Sequence, residues 1–563
     1  MNLSLLLGAE ALNWLAQPSN RAAWEELHRS WGGDNPYTSP DFAGIWYTHY
    51  AETHVPILIL GHDDSAELIA LAPLASAGHN FSGAGAQQAE YPGWLCPAAR
   101  HREFVSALVT LIAGHDPQGV LKLRYVTQAE AITAWQSLAG QDPRARVEIH
   151  QCPMLEVGND AVRAALKKKG NRSKLNRLRR LGTLELKRAR TLAEFDEYLD
   201  QAFVIYDLRQ GAKNNDTPFC DDGAKRDFLR NWYEQCPDDI YASILLLDGK
   251  VVAALFGVVR GRSILNAIIA HDPALAAHSV SKFHLYLLAQ ELDEQALETL
   301  DLTPGGDPWK ERFATMHSDV ATLEFHADVS ERRRLDRDAE RLKWLKQVLG
   351  RVGISPDDAR AMAATAKRVT PAKLVARARN KIHEHVEYRV YRMAGSAIPE
   401  TTDAGRALRN QFADLLAFDE TQASASRQMF LASACERLAS GERVYTVGEQ
   451  DTLAHYGWLI ERQEKTVFSE IDYAYEFPEP GAVLYDFYTH PDSRGQKLYQ
   501  STIQQMLGDI RRFDEPPAWV YITVLADNLP SRHVIETLGF DYLESVVRTT
   551  RFGKPTWRVT QIP

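Results

Sequence analysis

The sequence contains few cysteines and no paired metal or hydrolase motif. Its five cysteines are scattered over 563 residues without a Cys-x-x-Cys pair. A disulfide framework or a cysteine-based zinc site is therefore not expected. The eighteen histidines never adopt His-Glu-x-x-His spacing, so we predict no metal site. A Walker loop and a Gly-x-Ser-x-Gly elbow are also missing, which argues against nucleotide hydrolysis and serine-hydrolase chemistry.

The sequence also lacks a recognisable targeting segment and an apolar run of membrane length. The first residues, MNLSLLLGAEALNWLA, have no basic region, and Glu10 interrupts the apolar stretch. The longest apolar stretch, 243–259, carries Asp248 and Lys250 at its middle. That pattern predicts two buried strands joined by a turn, not a membrane span. Together these absences predict a protein of the reducing cytoplasm.

Length and charge set further bounds. A chain of 563 residues is too long for one core and predicts three or four domains. Hydrophobic residues make up 45% and charged residues 25%, which is typical of soluble globular proteins. The net charge of −10 argues against a dedicated nucleic-acid binder.

Hydrophobic periodicity divides the chain into four segments. Residues 1–150 and 151–327 each alternate helices with strands, and 387–563 form a further compact α/β domain. Residues 328–386 are charged and helix-periodic, which predicts a helical connector. Its apolar stripe consists of Leu335, Leu342, Leu345 and Val348.

A strand–turn–helix unit in the last domain suggests an anion site. The predicted strand ends at Thr489, and Arg494 and Gly495 open a predicted helix that runs to Phe513. The first backbone N–H groups of a helix are unpaired and carry partial positive charge, so they bind phosphates readily. Gly495 would allow close approach, and Arg494 and Lys497 add full charges. An ordinary helix start with a solvated arginine has the same local pattern.

A second motif follows at a suitable distance. Asn528 precedes a short predicted helix that ends at Leu538, and Gly539-Phe540 follow. With both motifs in this order, 387–563 resembles the GNAT superfamily of acyl-CoA-dependent N-acyltransferases. The resemblance implies acetyl-CoA or another acyl-CoA as co-substrate and no metal. It implies the following cofactor-binding residues: Arg494, Gly495, Gln496, Lys497, Leu498, Tyr499, Asn528 and Ser531.

The catalytic residues depart from the family pattern. The family's later loop glycines fall at Lys497 and Tyr499, and its general-acid tyrosine falls at Ile535, which cannot exchange a proton. Candidate general bases are Glu470 and Asp472, which would share one face of a predicted strand 466–475, and Asp486 on the next strand. A solvated strand face explains these three acids equally well.

The first 327 residues carry a second resemblance. The stretch DLTPGGDPWKERF, residues 301–313, is similar to a signature of cellulose-biosynthesis-type (CelD/BcsL) acetyltransferases and, more distantly, of Fem-type peptidyltransferases. The resemblance implies two GNAT-like lobes that divide near residue 150. Asp301 and Lys310 are its candidate catalytic residues. Lys310 could hold a phosphate or carboxylate beside two glycines, or could be a structural lysine paired with Asp301 or Asp307.

A basic stretch precedes that signature. Residues 163–190 contain twelve Lys or Arg and one acid, Glu185. They predict either a solvated helix face or a docking surface for an anion such as the CoA 3′-phosphate, a nucleotide sugar or an acidic glycan. Nucleic acid is the second choice, because the whole chain is acidic and the stretch has no interleaved aromatic residues.

These patterns predict an α/β protein of three GNAT-like lobes, in which helices flank mixed central sheets, with a helical connector. The resemblances imply an acyl-CoA-dependent, N-acetyltransferase-like enzyme. It would transfer acetyl to an amine or hydroxyl of a small-molecule or glycan acceptor, such as a sugar or polysaccharide precursor. Two alternatives stay open. One is a Fem-like aminoacyl or peptidyl transferase that uses aminoacyl-tRNA, and the other is a non-catalytic scaffold that senses acyl-CoA.

Overall fold

The computed structural model describes residues 1–295, 297–330, 332–334, 337, 341, 383–400, 405–423, 425–552 and 554–561. The predicted connector, including its apolar stripe, lies largely outside these residues. The chain forms two compact units. Unit 1 consists of Met1–Tyr206, Pro218–Asp272 and His278–Leu345, and unit 2 of Asp207–Thr217, Pro273–Ala277 and Lys346–Pro563.

Unit 1 contains one twelve-stranded sheet in the order β1-β2-β3-β4-β5-β12-β6-β11-β10-β9-β8-β7. The strands are β1 (Asn2–Leu7), β2 (Val55–His62), β3 (Leu68–Ala77), β4 (Asn80–Gly83), β5 (Val120–Val126), β6 (Ala145–Glu156), β7 (Leu184–Arg188), β8 (Ile240–Leu247), β9 (Lys250–Arg260), β10 (Ser263–His271), β11 (Thr299–Asp301) and β12 (Met316–His326). The predicted boundary at residue 150 falls inside β6, which pairs with β12 and β11. The two predicted lobes therefore share a continuous sheet, and their division stays a prediction.

The helices of this part of the chain include one, Leu192–Asn214, whose last residues belong to unit 2. In chain order they are α1 (Ala9–Ala16), α2 (Pro18–Trp31), α3 (Pro40–Tyr50), α4 (His101–His115), α5 (Ala129–Ala139), α6 (Asp160–Lys167), α7 (Lys169–Arg180), α8 (Leu192–Asn214), α9 (Gly223–Gln235), α10 (Val280–Glu294) and α11 (Pro308–Glu311). The start of α3 shows the local chemistry, since the Ser39 hydroxyl accepts from the Phe42 N–H and Pro40 occupies the first turn. Two apolar clusters form the core, one around Trp94 and Trp135 and one around Leu288 and Leu300.

Unit 2 contains an eight-stranded sheet in the order β14-β15-β16-β17-β18-β13-β19-β20. Its strands are β13 (His383–Ala394), β14 (Leu408–Arg409), β15 (Arg443–Glu449), β16 (Thr452–Phe468), β17 (Tyr473–Thr489), β18 (Trp519–Leu525), β19 (Asp541–Arg551) and β20 (Lys554–Gln561). Its helices are α12 (Phe412–Leu416), α13 (Arg427–Ala439), α14 (Leu498–Arg511) and α15 (Leu529–Thr537). In the described part of the chain, no helix has the length and apolarity to cross a bilayer.

Each predicted lobe contains one parallel strand pair in an otherwise antiparallel sheet. The pairs are β4–β5, β10–β11 and β17–β18. Parallel neighbours need a crossover connection, which α4, α10 and α14 supply between the two strands of each pair. The predicted α/β class, with mixed sheets flanked by helices, is confirmed.

Candidate functional site

In unit 2, β17 and β18 lie side by side only briefly. Their parallel pairing covers Ala482–Leu484 and Val520–Ile522, and both strands then continue for several residues. A bulge in the β16–β17 pairing follows at once, and Asp486 adopts a left-handed conformation there (φ 49°). Bulges bend a strand and increase its twist. The bend in β17 therefore coincides with the end of its pairing with β18, and the two strands separate at this point.

The loop after β17 adopts the left-handed region twice. Gly495 has φ 82° and Lys497 has φ 60°, so neither residue can belong to an α-helix, and α14 begins at Leu498. The prediction that the helix begins at Gly495 is therefore wrong by three residues. Glycine adopts such a φ without strain, whereas Lys497 pays a cost of about 1 kcal/mol. Lys497 thus has the backbone conformation that a glycine would adopt at the same place.

This loop presents unpaired positive charge. The side chains of Arg494, Gln496 and Lys497 are exposed, and within the described part of the chain neither Arg494 nor Lys497 forms an ion pair. Among the residues that the structure describes, no side chain caps the start of α14, and its first N–H groups have no backbone acceptor outside the helix. Unpaired cations beside uncapped helical N–H groups are the chemistry that binds phosphate.

The remaining predicted cofactor residues lie around the starts of α14 and α15. The Ser531 hydroxyl donates to the Tyr499 hydroxyl at 2.8 Å, and the Asn528 carbonyl oxygen caps α15 by accepting from the Ser531 N–H at 3.3 Å. Burial raises the pKa of Tyr499 to about 12. Leu498 is buried in the core, so only its backbone faces the loop.

Asp486 lies where the strands part and has a cationic partner. Its carboxylate pairs with Arg437, whose guanidinium is 5.0 Å from the Trp458 ring centroid and 5.1 Å from that of Tyr485. The Tyr485 hydroxyl in turn donates to Glu442. Burial raises the pKa of Glu442 above its usual range, which makes this carboxylate a stronger base.

Glu442 was missed by the sequence reasoning. It stands in the turn before β15, about forty residues from Asp486 in sequence, and only the fold of the sheet brings both near Tyr485. A single acid in the stretch Gly441-Glu442-Arg443 gives no signal of burial, so periodicity could not have found it.

The structure corrects the placement of two predicted bases. Glu470 and Asp472 do not lie on a strand; both are exposed in the turn that joins β16 to β17. The turn nevertheless lies near Asp486, because burial, the charge of Glu470, a hydrogen bond to Glu470 and the charge of Asp486 all raise the pKa of the Tyr388 hydroxyl. Glu470 therefore stays a candidate base beside Asp486 and Glu442.

In unit 1, the strands β10 and β11 show the same combination of a short parallel pairing and a bulge. Their parallel pairing covers Ser263–Leu265 and Thr299–Asp301, and the β9–β10 pairing bulges after Asn266. Asn266 is only 5% exposed, and neither polar atom of its amide group has a hydrogen-bond partner among the described residues. A buried, unpartnered amide is costly, so such a group points to a missing ligand or water. Its only signal in the sequence is one polar residue within the apolar strand SILNAIIAH.

Asp301 ends the paired part of β11 and is fully engaged by protein groups. Its carboxylate accepts from the Tyr91 hydroxyl at 2.8 Å, from the Cys152 thiol at 3.1 Å and from the Thr303 N–H at 2.7 Å. Asp301 therefore lies beside the parting strands, as a catalytic residue would, but its hydrogen bonds join three segments of unit 1.

Lys310 is buried and binds the loop that precedes it. Its ammonium donates to the Thr303 carbonyl at 2.9 Å, the Thr303 hydroxyl at 2.9 Å and the Pro304 carbonyl at 3.1 Å. Burial lowers the pKa of Lys310, and nearby carboxylates oppose that shift. An ammonium has three donors, and all three are used. The geometry favours a structural role for Lys310 over a ligand-facing one, although its hydrogen bonds go to Thr303 and Pro304 and not to the predicted partners Asp301 or Asp307.

The start of α10 forms a second cationic site in unit 1. Ser279 precedes the helix in a left-handed conformation, and its hydroxyl accepts from Lys174 at 3.4 Å. The Lys282 ammonium donates to the Asn171 side chain at 2.8 Å. Burial lowers the pKa of Lys282, and Lys174, Arg312 and Lys168 lower it further. This second helix start thus also carries positive charge.

No metal centre emerges from the described residues, among which three or more His, Cys, Asp or Glu side chains nowhere gather as metal ligands.

Comparison with known proteins finds a family match for one part of the chain. Residues 167–311 match the family model "Acetyltransferase (GNAT) domain", which supports a transferase. The match lies on the second predicted lobe, not on 387–563, where the sequence motifs were clearest. No curated protein matches.

Several solved structures are similar to part of the chain at low identity. The C-terminal domain of a putative lysylphosphatidylglycerol synthetase from Agrobacterium fabrum is 12% identical, covers 57% of this chain and 95% of its own, and has a TM-score of 0.37. The L-PGS of Bacillus licheniformis is 12% identical, with 60% and 97% coverage and a TM-score of 0.38. A tandem GNAT protein from the clavulanic acid pathway is 15% identical, with 66% and 99% coverage and a TM-score of 0.22. Scores this low support no inference about function.

Proposed function

We propose that this protein is an acyltransferase that binds acyl-CoA in unit 2. In this proposal the phosphates lie on the loop 494–497 and the start of α14, and the acyl thioester reaches the point where β17 and β18 part. One observation carries the proposal: among the described residues, Arg494 and Lys497 are exposed without an ion-pair partner, beside a helix without a side-chain cap that follows the end of the β17–β18 pairing. The GNAT match to 167–311 supports transferase chemistry for the chain.

The chemistry needs positioning and one base. The acceptor amine or hydroxyl attacks the thioester carbonyl, so that a C–N or C–O bond forms and the C–S bond breaks. The acceptor loses a proton, and the CoA thiolate leaves and takes one up. Glu442 is the stronger candidate to accept the first proton, because its pKa is raised, while Asp486 is already paired with Arg437.

The acceptor and the compartment rest on resemblance. The likeness of 1–327 to cellulose-biosynthesis-type acetyltransferases suggests acetyl-CoA as donor and a sugar or polysaccharide precursor as acceptor, in the cytoplasm. We also propose that the chain has three GNAT-like lobes and that Asp301 has a catalytic role.

Titration calorimetry of the full chain with CoA tests the donor site. Arg494→Ala should weaken CoA binding about ten- to a hundredfold, because a hydrogen bond to a charged group contributes roughly 1.5–3 kcal/mol. Gly495→Val should also weaken it, since a branched side chain strains the left-handed backbone. Arg462→Ala is the matched control, because Arg462 is an exposed arginine of the same unit on β16.

The same titration separates the two cationic helix starts. If Arg494→Ala and Gly495→Val bind CoA normally while Lys282→Ala does not, the donor site is at α10 in unit 1. Unchanged affinity in all three variants would refute a CoA site at either helix start.

The two alternatives predict different results in a thiol-release assay with acetyl-CoA and a panel of amines and sugars. A scaffold that senses acyl-CoA would bind CoA without releasing thiol for any acceptor. A Fem-like transferase would show no CoA dependence and would require a charged tRNA instead.

A further inference from the structure

One arginine of unit 2 is held between two aromatic rings. Arg437 lies in the last turn of α13, and its guanidinium carbon is 5.0 Å from the ring centroid of Trp458 and 5.1 Å from that of Tyr485. Trp458 and Tyr485 are cross-strand partners on β16 and β17. Aromatic faces attract a guanidinium, so two rings on one rigid sheet fix the position of this cation.

Most hydrogen-bond donors of this guanidinium are unused. The Arg437 side chain is 25% exposed, and among the described residues its one hydrogen bond runs from Nη1 to the carboxylate of Asp486. A guanidinium has five N–H donors in a planar fork that matches the two oxygens of a carboxylate. The edge formed by Nε and Nη2 is therefore available for a bidentate anion.

A base lies beside the same tyrosine. The Tyr485 hydroxyl donates to Glu442, while its ring faces the guanidinium of Arg437. Burial raises the pKa of Glu442, and the hydrogen bond from Tyr485 and the charge of Arg437 oppose that shift. One phenol side chain thus contacts both a cation with unused donors and a carboxylate that can accept a proton.

This pairing of groups describes a zwitterion. An α-amino acid carries its carboxylate and its amine on one carbon atom, so it can meet the fork of Arg437 and the carboxylate of Glu442 together. A phosphate ester would bring up to two negative charges beside Glu442 and Asp486, which repel it. A sugar hydroxyl or a simple amine would cover the guanidinium without supplying an anionic acceptor, and an uncompensated charge is costly to desolvate.

We infer that this site binds an α-amino acid, the acyl acceptor of the proposed reaction, with its carboxylate on Arg437 and its amine beside Glu442. The inference rests on the proposed function, which brings the acyl thioester to the point where β17 and β18 part. Asp486, the partner of Arg437, lies in the bulge at that point. The contacts thus favour an acceptor other than the sugar precursor that the resemblance of 1–327 suggests.

The reaction balances with these groups. The ammonium of the amino acid first gives one proton to Glu442, and the free amine attacks the thioester carbonyl. The C–N bond forms, the C–S bond breaks, and the nitrogen gives its second proton to water. The CoA thiolate takes up one proton from solvent. The products are an N-acyl amino acid, CoA and one net proton.

Titration calorimetry of the full chain in the presence of CoA tests the site without turnover, because CoA has no acyl group to transfer. The probes are the twenty L-amino acids, and each one that binds is compared with its amide, which keeps the amine and loses the negative charge. The amino acid should bind about ten- to a hundredfold more tightly than its amide, as expected for a hydrogen bond between charged groups.

Two substitutions at Arg437 identify the group that binds the carboxylate. Arg437→Gln should reduce the preference for the amino acid over its amide to about one. Arg437→Lys keeps the charge but not the planar fork, and should weaken amino-acid binding about tenfold. It also serves if the glutamine variant does not fold, which thermal unfolding shows. Arg462→Gln, at an exposed position of β16, is the control and should leave the preference unchanged.

The inference is overturned if no amino acid binds, if an amide binds as tightly as its acid, or if Arg437→Gln and Arg437→Lys both leave the preference unchanged. A thiol-release assay with acetyl-CoA separates this failure from that of the proposed function. Thiol release with sugars but not with amino acids would overturn the inference and leave an acyltransferase. Amino-acid binding that depends on Arg437, without CoA binding or thiol release, would support the amino-acid site and refute the proposed function.

Discussion

At the residue scale, Lys310 is a buried charge whose hydrogen bonds are supplied by its own loop. Its position after two glycines and at the start of a helix suits a ligand lysine, yet its ammonium donates only to residues 303 and 304 of its own loop. A flexible ammonium that finds three acceptors within its own loop stays there, because a buried charge must be satisfied. The glycines give the loop its shape: Gly305 and Gly306 both have positive φ.

Lys310→Ala should therefore destabilise unit 1 by about 2–4 kcal/mol, because it leaves two buried carbonyls and a hydroxyl without their donor. Urea unfolding followed by tryptophan fluorescence measures the change. Lys250→Ala, at the exposed first residue of β9, should change stability by no more than about 0.5 kcal/mol. A stable Lys310→Ala protein that has lost ligand binding would restore the ligand-facing interpretation.

At the scale of elements, the parallel strand pairs β10–β11 and β17–β18 end in the same way. β10 parts from β11 after three paired residues, and β17 parts from β18 after three. In both places the first strand of the pair bulges against its other neighbour, at Asn266 and at Asp486. A bulge turns the strand, and the crossover helix then begins beyond the gap. The gap and the helix start are thus products of one irregularity in the sheet.

A substitution at Gly481 tests whether the pairing of β17 with β18 depends on close packing. A Cβ atom at Gly481 would lie 2.4 Å from the Trp519 carbonyl oxygen, which is backbone and cannot move aside. Gly481→Ala should therefore destabilise unit 2 by about 1–3 kcal/mol, as overpacking of a tight site does. Thermal unfolding with and without CoA measures this. The matched Gly114→Ala, in α4 with open space around it, should be neutral or stabilising by up to about 1 kcal/mol. An equally harmless Gly481→Ala would show that the strands adjust freely.

At the scale of the whole molecule, two compact units each carry a cationic helix start. The GNAT family match covers a segment within residues 167–311, whereas Arg494 and Lys497 belong to unit 2. The question of which unit binds the donor is therefore separate from whether the chain is a transferase.

Differential scanning calorimetry of the full chain answers that question. Two transitions are expected, and Lys310→Ala identifies the one that belongs to unit 1. CoA at a hundred times its dissociation constant should stabilise unit 2 by about 2.7 kcal/mol and leave the other transition in place. If CoA raises the transition that Lys310→Ala lowers, the donor binds in unit 1. A single transition that CoA and Lys310→Ala both shift would show that the units unfold together.

The sequence by itself determined the fold class and the location of several elements. Alternation of apolar residues is a local property, so the strands around Asp248 and the strand that ends at Thr489 lie where the pattern predicted. The residues 494–497 were found because a helix start and its charges are adjacent in sequence. The basic stretch 163–190 was equally visible.

Only the tertiary structure decided which of these groups are free. Whether Lys310 has partners, whether Asn266 lacks them and whether Glu442 lies close to Tyr485 depend on contacts between residues distant in sequence or on the folded path of a loop. The wrong placement of Glu470 and Asp472 has the same cause, because strand pairing and not propensity set the length of the β16–β17 hairpin and the position of its turn. Burial and hydrogen bonding are properties of the packed chain, and no local pattern encodes them.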